Sequence, residues 1–175
     1  MKIFKEVQRF NQWWLIALFV LVYSVIGYKF LLVYREKEIV NVDESGEQIF
    51  TGVILVLATI LIFSLKLKTR IDEHGISFQF SPFQLKAKHI PWKSLEKCSV
   101  RKYSPILEYG GWGFRGLLKS KLFGIGKNGI AYNVRGNIGI QMILKNGAKI
   151  LIGTQEAEHA RQVLNNYAYK LTDET

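Results

Sequence analysis

Gly124-Ile-Gly-Lys-Asn-Gly129 has the spacing G-x-G-x-x-G, in which a glycine turn brings backbone N–H groups against a pyrophosphate. That chemistry needs a strand before the turn, a helix after it and an acidic side chain further on to hold a ribose. Here a strand pattern follows the glycines and no Asp or Glu occurs between Gly129 and Thr154, so the segment reads as a loop. His74, His89 and His159 share no ligand spacing, and Cys98 is the only cysteine, which excludes a structural zinc site and an intramolecular disulfide. A single thiol agrees with a reducing compartment. Cys98 alternates with Lys97 and Ser99, the pattern of a small buried strand residue rather than a nucleophile. Ser94, Ser99, Ser104 and Ser120 stand outside any G-x-S-x-G elbow, in basic surroundings. Among the carboxylates Asp72, Glu73, Glu96, Glu108, Glu156, Glu158, Asp173 and Glu174, half belong to a helix start or the tail, leaving no acid–base pair. The expectation is a non-catalytic chain without cofactor or metal, an unrecognised hydrolase being the weakest alternative.

Binding chemistry is better represented. Pro105 to Lys127 is a long connection that interleaves Trp112, Phe114, Leu117, Leu118, Leu122 and Phe123 with Arg115, Lys119, Lys121 and Lys127. Apolar insertion combined with cationic attraction is the chemistry of membrane-surface binding, and each basic residue beside an anionic leaflet contributes about 1 kcal/mol. The candidate membrane- or ligand-binding residues are Trp112, Phe114, Arg115, Lys119, Lys121, Lys127 and Arg135. The structural alternative folds Trp112, Phe114 and Leu117 back onto the domain as a plug. Lys86, Lys88, Lys93, Lys97, Arg101 and Lys102 form a second positive region near Trp92 and Tyr103, a pattern shared with nucleic-acid binders. A domain tethered at a bilayer meets lipid phosphate first, so no nucleic-acid partner is expected.

The tether is written in the first third of the chain. The 175 residues carry 24 Lys+Arg and 14 Asp+Glu, a formal net charge of +10, and 49% are hydrophobic, which excludes a disordered chain. Residues 1–65 hold six basic and six acidic side chains, so the whole excess belongs to residues 66–175, with 18 against 8. Trp13 to Val33 is apolar apart from Lys29, and its uncharged stretch Phe10 to Tyr28, 19 residues, spans roughly 28 Å as a helix, close to the ~30 Å hydrocarbon core. Lys29 lies near one end and can snorkel to the headgroups. Gln48 to Leu65 is a second uncharged run, too long for an ordinary strand. Lys2, Lys5 and Arg9 precede the first run and Lys66, Lys68 and Arg70 follow the second, predicting both termini on the cytoplasmic side. A cleaved signal peptide is the rival for the first run, but the run exceeds the usual apolar core of about 7–15 residues and no A-x-A-like site closes it. The expected organisation is an N-terminal cytosolic or interfacial segment (1–12), transmembrane helices at 13–34 and 49–65 joined by an external loop (35–48), a domain at 66–171 and a tail (172–175). Trp13, Trp14, Lys29, Lys66 and Lys68 are the expected anchors. Within residues 1–12, Ile3, Phe4, Val7 and Phe10 fall at helical spacing, predicting an interfacial helix or a frayed turn of helix one.

From Leu67 the pattern becomes short segments punctuated by Gly, Asn, Asp and Pro, predicting seven antiparallel strands at 67–72, 76–80, 85–91, 97–103, 130–135, 138–144 and 149–153. Asn146-Gly147 is the strongest hairpin signal, with Gly136-Asn137 and His74-Gly75 weaker turns. A helix over about 155–170, capped by Thr154, carries Ala157, Ala160, Val163, Leu164, Tyr167 and Leu171 on one stripe.

This arrangement resembles the pleckstrin-homology-like fold, and in particular the bacterial pleckstrin-homology-like domains that follow a pair of transmembrane helices in small membrane proteins. The resemblance is carried by His89-Ile-Pro-Trp-Lys-Ser-Leu-Glu, Glu108-Tyr-Gly-Gly-Trp-Gly-Phe-Arg, Ala131-Tyr-Asn-Val-Arg-Gly-Asn-Ile-Gly-Ile and Ile150-Leu-Ile-Gly-Thr-Gln, and it covers residues 66–170. It implies an α+β membrane protein, a two-helix transmembrane hairpin plus a cytosolic seven-stranded antiparallel barrel or sandwich capped by a C-terminal helix, and no particular reaction or ligand. The tight basic cluster that eukaryotic relatives place between their first two strands is replaced by the partly acidic turn Asp72-Glu73-His74-Gly75. The expected function is a multi-pass inner-membrane protein whose cytosolic module engages membrane lipids or a protein partner. The alternative is a membrane-tethered receptor for a small anionic ligand or peptide, with Arg115, Lys119 and Arg135 near its cleft.

Overall fold

The computed structural model describes residues 2–36, 42–115 and 128–172. Among them are nine strands and five α-helices, an α+β chain that divides into two units, one formed by Phe10–Ser64 and the other by Met1–Arg9 together with Leu65–Thr175.

The helical unit holds α1 (Trp13–Glu36) and α2 (Val42–Ser64). Neither contains proline, and α2 stays helical through Val53-Ile-Leu-Val56 because a run this long satisfies its own backbone only as a helix. Both helices reach into the segment expected to be the loop 35–48, and residues 37–41 lie outside the described residues. Trp13–Leu32, 20 residues, is long and apolar enough to cross a membrane, and the apolar part of α2, Ile49–Ser64, is shorter. The helices run antiparallel: the rings of Phe19 and Phe63 lie 5.6 Å apart, and one turn further along the Tyr23 hydroxyl is 2.9 Å from Thr59 Oγ1. Thr59 donates its own proton to the Leu55 carbonyl at 2.7 Å, so Tyr23 is the donor between the helices.

The other unit is built on two sheets. The first has the order β1-β2-β3-β4, from β1 (Phe4–Arg9), β2 (Lys66–Asp72), β3 (Gly75–Ser81) and β4 (Lys88–Pro91), all antiparallel. The first strand is a correction. Instead of an interfacial helix, residues 4–9 alternate Phe4, Glu6 and Gln8 inward with Lys5, Val7 and Arg9 outward. Two of the three inward positions are polar and bonded. Glu6, 6% exposed, accepts from Thr154 Oγ1 at 2.7 Å and from the Gln155 N–H at 2.8 Å, and Gln8 Nε2 donates to the Gly153 carbonyl at 2.7 Å. With the Glu6 carboxylate and the Gln8 amide nitrogen bonded, sheet pairing outweighs the helical spacing of four apolar residues.

The second sheet has the order β5-β8-β9-β7-β6, from β5 (Leu95–Lys102), β6 (Gly113–Arg115), β7 (Ile130–Asn133), β8 (Ile138–Leu144) and β9 (Lys149–Gly153). Seven antiparallel strands were expected from residue 67 onward; the described residues hold nine with β1 included, and β7 runs parallel to β9 with Ile130 opposite Ile150 and Tyr132 opposite Ile152. A parallel neighbour needs a crossover, which the β8–β9 hairpin supplies by filling the position between β5 and β7. The expected strand 85–91 begins only at Lys88. Tyr132 joins the two sheets, its ring 4.7 Å from Phe78 and 6.4 Å from Phe80. Leu67, Ile71, Ile140, Met142 and Ile152 are buried as well.

The C-terminal helix is shorter than expected: α4 (Ala157–Asn166), then a break at Tyr167 and a final turn α5 (Tyr169–Thr172). Thr154 does not cap it; its hydroxyl accepts from the Glu156 N–H at 3.1 Å and donates to Glu6, so the side chain closes a turn before the helix. Ala160, Val163, Leu164 and Tyr167 form the buried stripe, as the spacing predicts.

Candidate functional site

The register of β1 against β2 assembles a surface that no single stretch of sequence displays. Arg9 pairs with Lys66, Val7 with Lys68 and Lys5 with Arg70, and all of these side chains point away from the core. The basic residues before α1 and after α2 therefore share one face of one sheet. Two of the three pairs set like charges directly opposite each other, an arrangement that destabilises a sheet. Arg70 is relieved by Asp72, whose carboxylate receives its Nε at 2.8 Å. Burial raises the Asp72 carboxyl, and the His74 N–H and the Arg70 guanidinium outweigh it, leaving the group below its ordinary range. Among the described residues Lys5, Arg9, Lys66 and Lys68 have no such partner, and Val7, 58% exposed, lies in their midst. The face is a flat cationic patch with an apolar centre, suited to lipid phosphates.

The expected site around Trp112 is used differently. Phe114 stacks on Tyr132 at 4.8 Å and 12° and reaches Phe80 at 6.4 Å, so its ring completes the core. Trp112 is 38% exposed and donates its indole N–H to the Gly136 carbonyl at 3.1 Å. Arg115 turns back to donate to the Trp112 carbonyl at 2.9 Å. Arg135 is exposed beside the turn that holds Trp112. Lys119, Lys121 and Lys127 lie outside the described residues, as does most of the G-x-G-x-x-G segment. Its last residue, Gly129, has φ +83°, and a Cβ there would meet the Lys149 carbonyl oxygen at 2.0 Å; strand β7, not a helix, follows it. That glycine serves close backbone approach, and the helix a dinucleotide needs is missing from its place.

The chain between β5 and β6 packs onto the second sheet through Tyr109. Ser104 caps α3 (Pro105–Tyr109), Pro105 takes its first position, and Gly110 ends it in the left-handed region at φ 75°. The turn buries Tyr109 against Tyr103, Ala131 and Leu151. Arg101 holds it down, donating to Glu108 Oε2 at 2.7 Å and to Gln141 Oε1 at 2.9 Å. The hydrogen bond from Arg101 keeps the Glu108 carboxyl below its ordinary value, and burial raises the phenols of Tyr103 and Tyr109. Beyond this cover the sheet opens into a groove of about 270 Å³ lined by Lys97, Ser99, Arg101, Asn128, Gln141, Ile143 and Lys149. Arg101 is already committed there, whereas Lys97 and Lys149 have no ion-pair partner among the described residues. Neither Arg115 nor Arg135 lines it.

The sequence pattern of catalysis finds no focus among the described residues. Burial pushes the Cys98 thiol up to about 12, far from a thiolate at neutral pH. His74 lies 3.8 Å from Asp72 and Glu73, His89 bonds Ser77 at 2.8 Å, and His159 bonds Glu156 at 3.0 Å, three separate places. No group of three or more His, Cys, Asp or Glu residues is gathered to hold a metal ion among the described residues. Of the expected anchors, Trp13 is 80% and Trp14 50% exposed at the start of α1, Lys29 is exposed near its end, and Lys66 and Lys68 belong to the basic face. The sequence presented Lys5, Arg9, Lys66, Lys68 and Arg70 as topology markers, with Lys66 and Lys68 also as anchors, and not as one face, because the register that unites them spans the whole helical unit. No family model, curated protein or solved structure matches this chain.

Proposed function

We propose that this chain is a two-pass protein of the bacterial cytoplasmic membrane that presents a pleckstrin-homology-like module on the cytoplasmic side, where the basic face of the first sheet engages anionic lipid without chemical turnover. The observation that carries this reading is the pairing of β1 with β2. β1 precedes α1 and β2 follows α2, and strands bonded into one sheet lie on one side of a bilayer. If α1 crosses, the chain crosses back before Lys66, and α2 is the element available to do so. Its apolar part, Ile49–Ser64, is 16 residues, roughly 24 Å, and one further turn brings it close to the ~30 Å core. A cleaved signal sequence fits poorly, since cleavage after α1 would discard β1 with its buried Phe4 and leave Thr154 and Gln155 without the Glu6 carboxylate. The cationic face supports the cytoplasmic side and an anionic partner. Support for the pleckstrin-homology-like assignment is architectural: a four-stranded antiparallel sheet, a second sheet across it and a C-terminal helix. The parallel β7–β9 pair departs from the family pattern.

Topology is tested in intact cells on a Cys98→Ala background with an impermeant thiol reagent. Ser45→Cys is expected to label from outside and His74→Cys only after permeabilisation; labelling of residue 74 in intact cells overturns the reading. Lipid engagement is tested with a fluorophore at Val7→Cys in full-length protein reconstituted in nanodiscs. Its emission shifts in phosphatidylglycerol and not in phosphatidylcholine; equal spectra discard the lipid surface and leave an acidic protein partner. A second reading, a tethered receptor for a small anionic ligand, draws on the groove between Lys97 and Lys149, and saturable phosphate binding lost in Lys97→Gln with Lys149→Gln favours it.

A further inference from the structure

We propose that residues Pro82–Ala87, the loop between β3 and β4, form an apolar wedge that enters the headgroup–acyl boundary of an anionic bilayer; this rests on the two-pass reading above. Leu85 is 91% exposed and Phe83 59%, unusual presentation for two large apolar side chains in so short a loop. The loop is nevertheless built rather than loose. Gln79 Nε2 donates to the carbonyls of Gln84 and Leu85, both at 3.0 Å, and Gln84 Oε1 accepts the Phe80 N–H at 2.9 Å. Gln84 Nε2 reaches the Tyr132 hydroxyl at 3.2 Å, and Phe83 stacks on Phe80 with ring centroids 6.1 Å apart. Carbonyls satisfied from within the protein can leave water at low cost, the requirement for any non-helical segment entering a membrane interface.

The loop also stands at the right end of the sheet. Ser81, its neighbour, pairs with Lys66, which pairs with Arg9, so β3 delivers the loop at the end where the chain leaves β1 and enters β2. One residue, Leu65, separates α2 from β2. Lys86 and Lys88 flank the apolar tip and are exposed, adding cations for anionic headgroups. The opposite end of the same hairpin, about 20 Å away at about 3.4 Å per residue, carries the acidic turn Asp72-Glu73, whose charge an anionic surface repels. Apolar tip, flanking lysines and chain tethers therefore coincide at one end, and the acidic turn occupies the other.

Full-length protein in phosphatidylglycerol nanodiscs containing doxyl-labelled lipid tests this, with an environment-sensitive fluorophore at Leu85→Cys or, as the far-end reference, at His74→Cys. A blue-shifted, doxyl-quenched emission at 85 and a water-like emission at 74 is the expected result. Lys86→Gln with Lys88→Gln then lowers the inserted-to-free ratio about fivefold per lysine. Carbonate extraction of the same samples separates the two ideas. Protein that resists extraction but leaves 85 as water-exposed as 74 overturns the wedge and spares the anchor, whereas protein that is extracted overturns both.

Discussion

Trp112–Arg115 and Phe83–Lys88 both set large apolar residues beside basic ones, and the fold uses them in opposite ways. In the first, Phe114 stacks against Tyr132, the Trp112 indole is bonded to Gly136 and Arg115 bends back on its own backbone. In the second, two glutamines lock the backbone while Leu85 is left 91% exposed. A membrane-seeking composition thus becomes a membrane-seeking surface only when the side chains are denied partners inside the domain. The contact made with Tyr132 differs: Phe114 stacks on its ring, whereas the β3–β4 loop reaches it only through the Gln84 amide and leaves Leu85 outside.

Substitutions that exchange the two behaviours test the contrast most strongly. Phe114→Ala removes a half-buried ring from the sheet junction and is expected to destabilise the domain by about 2–3 kcal/mol, somewhat less than the loss of a fully enclosed ring, read by denaturant titration in detergent. A change below about 0.5 kcal/mol would erase the distinction between plug and wedge. Gln79→Ala unties the carbonyls of Gln84 and Leu85 and is expected to cost about 1 kcal/mol and to speed amide exchange in the loop while leaving β8 protected. The cover over the second sheet carries a pH signature. The Glu108 carboxyl, lowered from its ordinary 4.5 by the Arg101 bond, contributes stability that is complete above that value and is lost as pH falls through its depressed folded value. Glu108→Gln should flatten the acid limb of the stability profile, and an unchanged limb would sever the turn from Arg101. Leu85→Ser, the smallest effect, should alter stability by less than about 0.5 kcal/mol, since nothing in the domain rests on that side chain.

Much of the scaffold was legible because each signal was local. The apolar helix α1, the Asn146-Gly147 hairpin and the stripe on α4 are set by neighbours within a few residues. Strand β1 was hidden because its inward positions hold Glu6 and Gln8, which become core residues only through partners at Gly153 to Gln155, far along the chain. The parallel placement of β7 was equally unreadable, since strand composition does not encode which neighbour a strand chooses. The candidate site divided the same way. The positive character of Lys5, Arg9, Lys66, Lys68 and Arg70 is plain in the sequence, but their union on one face depends on β1. The plug role of Phe114 depends on Tyr132, and the exposure of Leu85 depends on the reach of Gln79.

The pairing of Arg9 with Lys66 also sets a timetable for biosynthesis. β1 is made before the helical unit, yet the strand it needs begins 57 residues later. At about 5–20 residues per second the ribosome takes roughly 3–11 s to supply it. Throughout that interval α1 and α2 are being made, and β1 waits unpaired. On the two-pass reading proposed above, the sheet can close only after both helices are threaded, so correct insertion would be a precondition for folding the domain, and a chain whose second helix failed to return would leave β1 stranded from its partner across the bilayer.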